Sequence, residues 1–254
     1  MSKIVITGSA SGIGREVAKK LSDSGHEIIS IDLRDADIIA DLSTSEGRQK
    51  AIADTLEKTG SEIDILITAA GMGGHLADGK LVMIVNYFGT VELLDGFFPA
   101  MKGRAGAAAL ALSSNSAQMG VDPENELVKA LLAHDDQAAI DVVGDMPSAA
   151  TYGLSKHAVA RAVRRRAHAW GTAGVRLNAI APGMTETPML QGGRDNPDLK
   201  GALENIPVPL DRTANVDEIA NIIVMMVSEA FSFMHGSVLY VDGGTDAVVR
   251  PDQF

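Results

Sequence analysis

The feature that most constrains the fold is a glycine-rich turn near the N-terminus. The apolar run from Lys3 to Thr7 leads directly into Thr7-Gly8-Ser9-Ala10-Ser11-Gly12-Ile13-Gly14, and apolar residues then recur at helical spacing as far as Leu21. A strand, a glycine turn and a helix in this order predict the nucleotide end of a doubly wound α/β sheet. The glycines allow the backbone to approach a phosphate, and the helix N-terminus attracts its charge. A tight turn without a ligand is the alternative explanation.

The residue at the end of the second predicted strand indicates the cofactor. Glu27 to Ile31 is a strand-like run, and Asp32 follows it. A carboxylate at this position accepts hydrogen bonds from the ribose hydroxyls of adenosine and repels a 2′-phosphate, so we expect NAD rather than NADP. Arg34 is the opposing signal, because an arginine there can accommodate a phosphate.

The remaining elements alternate between strands and helices, with one omission. Too few residues separate Asp32 from the next short strand, Asp37 to Ala40, for a crossover helix. The later predicted helices run from Ser43 or Thr44 to about Lys58, from Leu81 to Met101 and from Val216 to about Glu229. The later predicted strands run from Ile63 to Thr68, Ala107 to Leu112, Val175 to Ala181 and Ser237 to Val241. We expect Met225 and Met226 of the last helix to lie in the core. We expect one Rossmann-like α/β domain, residues 1–254, with a doubly wound parallel sheet.

Two segments depart from this alternation. Residues 117–148 are acidic and helix-prone, and we expect a helical insertion with a solvated face just before the next helix. Residues 184–210 are rich in glycine and broken by proline, which predicts an irregular substrate loop or lid. Methionines in and near these segments adapt to large apolar surfaces, although ordinary packing explains them equally well.

Tyr152 and Lys156 form the candidate catalytic pair. They are four residues apart on a predicted helix, so their side chains project from the same face. A nearby cation favours the phenolate and lowers a tyrosine pKa, which would make Tyr152 a base for an alcohol proton. Ser113-Ser114 ends a central strand, where open α/β sheets bind ligands. A packed tyrosine with a solvated lysine is the alternative.

Composition disfavours several partners. Against 22 basic residues the chain has 33 acidic ones, a net charge of −11, which argues against nucleic acid and anionic membranes. Cysteine is absent, which excludes disulfides and thiolate metal sites. We expect His157 and His168 to lie at the surface, and we predict no metal site. We see no apolar run approaching the ~20 residues of a membrane span and no room for a signal peptide before the first strand, so we expect a cytoplasmic protein.

The order of the motifs resembles the short-chain dehydrogenase/reductase family over nearly the whole chain. The matching residues are the glycine turn, Asp41-Leu42, Ala70-Gly71, Asn86, Ser114, Tyr152 with Lys156, Asn178, Pro182-Gly183 with Thr187, and Val241-Asp242-Gly243-Gly244. Thr68-Ala69 departs from the pattern, because the family usually has two asparagines there. This departure affects one expected hydrogen bond between strands and leaves the chemistry intact.

The resemblance implies the site residues. Tyr152 is the expected acid/base, Ser114 orients and polarises the substrate oxygen, and Lys156 binds the nicotinamide ribose. Asn86 is expected to hold a water-mediated proton relay. The implied NAD-binding residues are Gly8, Ser11, Gly12, Ile13, Gly14, Asp32, Asp41, Leu42, Ala70, Gly71, Tyr152, Lys156, Ile180, Thr185 and Thr187, and the implied substrate-binding residues are Ser114, Met119, Tyr152, Met184 and Met189.

Within the family, three features resemble the bacterial 3α-hydroxysteroid dehydrogenase/carbonyl reductases: the missing crossover helix, the long insertion and the C-terminal segment 246–254. The resemblance implies NAD(H)-dependent interconversion of a steroid 3α-hydroxyl and a 3-ketone, with reduction of other carbonyl compounds. Because family members assemble partly through the tyrosine-bearing helix, the insertion before it favours a homodimer. The alternatives are a dehydrogenase for another secondary alcohol and a non-catalytic dinucleotide-binding regulator.

Overall fold

Seven parallel strands form a single sheet at the centre of the molecule. The computed structural model describes residues 1–253, and Phe254, the last residue of the C-terminal segment, lies outside the described residues. The strands are β1 (Lys3–Thr7), β2 (Glu27–Asp32), β3 (Ile38–Ile39), β4 (Ile65–Thr68), β5 (Ala108–Leu112), β6 (Arg176–Pro182) and β7 (Val238–Val241), in the spatial order β3-β2-β1-β4-β5-β6-β7. The predicted doubly wound sheet is confirmed. The strand order reverses between β1 and β4, which opens a crevice at their carboxyl ends.

Helices cover both faces of this sheet. They are α1 (Gly12–Asp23), α2 (Ser45–Thr59), α3 (Gly79–Met83), α4 (Gly89–Met101), α5 (Glu126–Ala133), α6 (Asp136–Val143), α7 (Ser148–Thr172), α8 (Pro188–Asp195), α9 (Pro197–Glu204), α10 (Val216–Val227) and α11 (Thr245–Val249). Successive strand residues point to opposite faces, so Ile4 and Ile6 pack with α1 and α10, whereas Val5 belongs to the core formed with α2, α4 and α7. The strands are therefore apolar throughout, as expected for a sheet buried on both sides.

The connection between β2 and β3 contains no helix, as the sequence predicted. The Ser30 hydroxyl donates to Asp37 over 2.6 Å, and the Asp37 amide donates back to the Ser30 hydroxyl over 2.9 Å. The pair β2–β3 is short, with only Ile31 opposite Ile38 and Asp32 opposite Ile39. Asp32 is thereby left at the sheet edge, close to the glycine turn.

The helix that follows β4 is nearly continuous from Gly79 to Met101. Its middle, Ile84–Phe88, widens into one π-helical turn that contains Asn86. This stretch has the length and hydropathy of a membrane span, so the expectation that no apolar run approaches that length was wrong. In the fold, 61% of its most apolar window is buried, because α4 packs against the sheet. A core helix accounts for the hydropathy.

The insertion folds onto its own domain. Leu127, Val128 and Leu131 of α5 are fully buried in the same core cluster as α4 and α7. Arg161 of α7 donates to the Pro123 carbonyl over 2.6 Å, and Arg165 donates to the Leu132 carbonyl over 3.3 Å. These apolar side chains of the insertion are therefore covered by their own domain.

The predicted irregular lid, residues 184–210, contains two short helices. Thr187 caps α8, its hydroxyl accepting the Leu190 amide, and Asn196 caps α9, its Oδ1 accepting the Asp198 amide. Pro188 and Pro197 each occupy a first helical turn, where a missing N–H costs nothing. The sequence therefore contains two helix starts, Thr187-Pro188 and Asn196-Pro197. The prediction of an irregular loop, based on the number of glycines and prolines, missed them.

Helix α10 places one of the two predicted core methionines at the surface. Met226 is 1% exposed, whereas Met225 is 47% exposed. The helix starts with a capping box formed by Asn215 and Glu218, and its apolar stripe follows helical spacing. Adjacent residues lie about 100° apart on a helix, so only one methionine of the pair reaches the core.

Candidate active site

Three elements bring the predicted catalytic residues to the carboxyl edge of the sheet. Ser114 follows β5, Tyr152 and Lys156 lie one turn apart on α7, and Asn86 lies on the π-helical turn. The Ser113 hydroxyl donates to the Lys156 carbonyl over 2.9 Å and fixes the end of β5 against α7. The four residues therefore come together at one edge of the sheet.

Tyr152 and Ser114 form the polar pair of this crevice. Burial raises the pKa of the Tyr152 phenol, and its hydrogen bond with the Ser114 hydroxyl lowers that pKa in part. Ser114 Oγ also accepts the Ser116 hydroxyl over 2.9 Å and the Ser116 amide over 3.2 Å. These contacts hold the serine hydroxyl beside the phenol.

Lys156 is deeply buried and lies one helical turn from Tyr152 on α7. Its ammonium is 5.9 Å from the centroid of the Tyr152 ring and donates to the Leu112 carbonyl over 2.9 Å. Burial lowers the pKa of Lys156 to about 8, because the charged form has lost its water. Its nearest resolved partner is thus a backbone oxygen rather than the phenol.

Asn86 supports the wall of the crevice through the backbone of Met72. Its Oδ1 accepts the Met72 amide over 2.8 Å, and its Nδ2 donates to the Met72 carbonyl over 3.0 Å. A Cβ at Gly71 would lie 3.0 Å from Asn86 Oδ1 and 3.3 Å from Lys156 Nζ. A side chain at position 71 would therefore crowd both polar groups.

The glycine turn is built for close approach of backbone. A Cβ on Gly8, whose φ is +71°, would lie 2.6 Å from the Ala70 amide nitrogen, and one on Gly14 would lie 2.2 Å from the Gly8 carbonyl oxygen. The Ser9 hydroxyl is buried and has no protein partner. Tightly packed glycines, a helix N-terminus and an unpartnered hydroxyl fit a dinucleotide phosphate group.

Two candidate carboxylates lie at the end of β2 and shortly after β3. Asp32 accepts the Ala10 amide over 2.9 Å and the Leu33 amide over 2.7 Å, which leaves further acceptor positions on its oxygens for two ribose hydroxyls. Asp41 is exposed and accepts the Ser43 amide over 2.9 Å. Leu42 is buried in the core, so only its backbone is available to a nucleotide.

The first residues of the lid lie across from the turn. The Thr187 hydroxyl donates to the Thr185 carbonyl over 3.2 Å, and a Cβ on Gly12 would lie 3.5 Å from the Thr187 methyl group. Thr185 Oγ1 donates to the Gly183 carbonyl over 3.0 Å. Ile180 is fully buried within β6, and its carbonyl accepts the Ser113 amide over 2.8 Å. The remaining implied residues, Ser11 and Ile13, begin α1 beside the same turn.

The three predicted substrate methionines do not gather at one place. Met119 follows the short helix Asn115–Gln118 next to Ser114, and Met189 lies on α8 against Gly73. Met184 instead lines a cavity of about 530 Å³ between the lid and residues 211–213, and neither Ser114 nor Tyr152 lines that cavity. The structure therefore places Met184 at the wall of this cavity.

Sequence patterns missed two histidines beside this site. His157 is 6% exposed, so its predicted surface position was wrong, whereas His168 is exposed as expected. His157 Nδ1 lies 2.7 Å from the Ala117 carbonyl, and burial lowers its pKa. His75 lies on the loop after β4, where the sequence offered no signal.

Among residues 1–253, no cluster of three or more His, Asp or Glu side chains is arranged to hold a metal ion.

Comparison with known proteins gives a consistent family. Residues 2–124 match the family described as short chain dehydrogenase, and residues 138–246 match that described as Enoyl-(Acyl carrier protein) reductase. The chain is 46% identical to the 3-alpha-hydroxysteroid dehydrogenase/carbonyl reductase of Comamonas testosteroni, over the full length of both proteins. The chain belongs to the short-chain dehydrogenase/reductase family.

Two further relatives differ in how similar they are to this short-chain dehydrogenase. It superposes on the NADH complex of the 3-alpha-hydroxysteroid dehydrogenase from Pseudomonas sp. B-0831 with a TM-score of 0.97 and 41% identity, covering all of both chains. The galactitol 2-dehydrogenase (L-tagatose-forming) of Cereibacter sphaeroides is 29% identical, covering 94% of this chain and 92% of that protein.

The one departure from the family pattern has a structural substitute. Thr68 at the end of β4 is buried, and its hydroxyl donates to the Leu110 carbonyl of β5 over 3.5 Å. This short-chain dehydrogenase therefore retains a side-chain contact between these two strands. The asparagine at this position in other members is not required to join them.

Proposed function

We propose that the protein is an NAD(H)-dependent oxidoreductase that interconverts the 3α-hydroxyl and 3-ketone of steroids and also reduces other carbonyl compounds. The observation that carries the chemistry is the phenol of Tyr152, hydrogen-bonded to Ser114 in a largely buried crevice beside Lys156. The steroid assignment rests on 46% full-length identity to a protein named for that activity.

The proposed mechanism assigns one task to each polar group. The Ser114 hydroxyl holds the substrate oxygen, and Tyr152 removes the alcohol proton during oxidation or returns it during ketone reduction. Lys156 binds the nicotinamide ribose, and Asn86 fixes the Met72 backbone beside it and is the proposed site of a water-mediated proton relay. The chemistry that NAD supplies when bound is acceptance of a hydride from the alcohol carbon, or its donation to the ketone.

The proposed preference for NAD over NADP follows from Asp32. Its carboxylate stands at the end of β2 and is fixed by two backbone amides. A 2′-phosphate at this position would meet a negative charge, whereas ribose hydroxyls would donate to it. The Pseudomonas relative was crystallised with NADH, which agrees with this preference.

A homodimer in the cytoplasm is the proposed state of the protein. The edge strand β7 is only half-buried, and the apolar side chains of Phe233, Met225, Val248 and Val249 are exposed. Phe233 is 104% exposed, so its ring is apolar surface that a second subunit would cover. The insertion, by contrast, already covers part of α4 and α7 within one chain, which directs assembly to the β7 side.

The test is oxidation of androsterone and its 3β epimer, side by side, with NAD. We expect the parent protein to oxidise the 3α-hydroxyl compound. The Tyr152→Phe variant should oxidise neither compound. Galactitol serves as a second substrate class, because a galactitol dehydrogenase is a more distant relative. Oxidation of a polyol without oxidation of either steroid would refute the steroid assignment and leave the dehydrogenase chemistry standing. Binding of NADH without turnover of any alcohol would instead favour a dinucleotide-binding regulator.

A further inference from the structure

The imidazole of His75 is held between two glycines from different parts of the chain. A Cβ added to Gly73 would lie 2.6 Å from His75 Nδ1, and a Cβ added to Gly192 would lie 2.6 Å from Nε2. Gly73 belongs to the loop after β4, whereas Gly192 lies on α8 of the lid. Neither position tolerates a side chain while the ring stays where it is, so the two glycines define a slot for it.

A hydrogen bond from a side chain to a backbone carbonyl joins the same two segments. Asn196 Nδ2 donates to the His75 carbonyl over 2.9 Å, while its Oδ1 accepts the Asp198 amide and starts α9. One asparagine therefore both begins the second lid helix and ties the lid to the loop. The two functions use different atoms of the side chain, so they can be separated by substitution.

The connection crosses directly above the catalytic edge. In the sheet, β5 lies between β4 and β6; the His75 loop follows β4, the lid follows β6, and Ser114 follows β5. A contact between the loop and the lid must span the end of the strand that carries Ser114. Closure of the lid over the crevice is thereby coupled to the position of His75.

The loop is the fixed partner in this contact. Asn86 binds both the amide and the carbonyl of Met72, and a Cβ on Gly74 would lie 2.7 Å from the Ala149 Cα of α7. The lid is much less anchored: α9 has no buried residue, and α8 buries only Gly193. Segments with few buried contacts open locally at low cost.

We infer that His75 is a latch: a positioning residue that holds the lid closed over the catalytic crevice and so governs substrate entry and product release. Its effect on the entry and release of steroids rests on the proposed function. Its effect on lid closure does not depend on that function. Opening the lid requires the ring to leave the slot between Gly73 and Gly192 and the Asn196 hydrogen bond to break. The latch thus stabilises the closed lid, because α8 and α9 bury too little area to do so alone.

Two variants of the full-length protein test the latch, with one matched control. Gly192→Ala fills the slot, and Asn196→Asp keeps the α9 cap but removes the donor to His75. Gly201→Ala is the control, because a Cβ there meets nothing within 4 Å. The readout is tryptic cleavage after Arg194 in the lid, which follows the population of the open form. One lost hydrogen bond predicts cleavage about three- to tenfold faster in Asn196→Asp, and Gly192→Ala should also be cut faster than the control.

Kinetics with a ketone substrate and NADH give the second readout. Both latch variants should raise KM while kcat stays equal or rises, because the chemical groups are untouched and release becomes easier. If both variants show the lid cleavage rate of Gly201→Ala, the latch is refuted. If no ketone is reduced by the parent protein, the proposed function fails, but the cleavage comparison still decides the latch.

Discussion

Replacing Lys156 by methionine should stabilise the ligand-free protein while removing its activity. The lysine is 4% exposed, and its ammonium has one resolved partner, the Leu112 carbonyl. Burial lowers its pKa from 10.5 to about 8. At 1.36 kcal/mol for each unit of pKa, the charged form costs the fold roughly 3 kcal/mol at neutral pH. Methionine fills similar space without charge, and it gives up one hydrogen bond worth about 1 kcal/mol.

The pH dependence separates this cost from other effects of the substitution. The unfolded chain holds the lysine proton up to about pH 10.5, whereas the folded chain releases it near pH 8. Between these values the unfolded state binds more protons, so the stability of the parent rises with pH. From pH 7 to pH 10 the parent should gain roughly 2–3 kcal/mol relative to Lys156→Met.

The assay is urea unfolding of parent and variant at several pH values from 7 to 10. Lys80→Met serves as the control, because Lys80 is exposed and its replacement removes a lysine charge without removing a buried one. We expect Lys156→Met to be more stable than the parent near pH 7, by about 1–2 kcal/mol, and the advantage to vanish or reverse by pH 10. A difference that stays constant with pH, as for Lys80→Met, would refute a buried charge at this position. NADH binding and turnover should both fall in Lys156→Met.

Four further substitutions have defined outcomes. Asp32→Ala should reduce the preference for NAD, so that the ratio of kcat/KM with NAD to kcat/KM with NADP falls. Equal kcat/KM values with the two cofactors in the parent would contradict the role of this carboxylate. Tyr152→Phe should remove nearly all turnover while NADH binding, followed by fluorescence, stays close to that of the parent. The Arg176 guanidinium donates to four carbonyls that end α10 and the turn after it, so Arg176→Met should lower the free energy of unfolding by roughly 2–3 kcal/mol in urea. Phe233→Lys should convert the proposed dimer to a monomer in light scattering, and a dimeric mass for the variant would place the interface elsewhere.

The fold and the catalytic positions were predictable because they depend on local patterns. The glycine turn fixes the first βα unit, and successive strand ends in a parallel sheet meet at one edge, which brings Ser114 to Tyr152. The absent helix between β2 and β3 was equally readable, because chain length alone excludes it. These features require no knowledge of distant contacts.

The features that escaped prediction depend on which segments pack together. His157 was assigned to the surface by helical spacing, but the short helix Asn115–Gln118 covers that face of α7. The Lys156 pKa depends on burial, and the ammonium finds the Leu112 carbonyl rather than the phenol. The slot of His75 joins residues more than a hundred positions apart. No local pattern carries information of this kind.

Transfer of deuterium from the substrate carbon to the cofactor tests the proposed chemistry most directly. Androsterone labelled with deuterium at carbon 3 would be incubated with NAD and the protein, and the reduced cofactor analysed by mass spectrometry. We predict one deuterium per molecule of NADH formed, and no labelled NADH with Tyr152→Phe. Appearance of the 3-ketone with unlabelled NADH, or labelled NADH at the parental rate from Tyr152→Phe, would contradict the account.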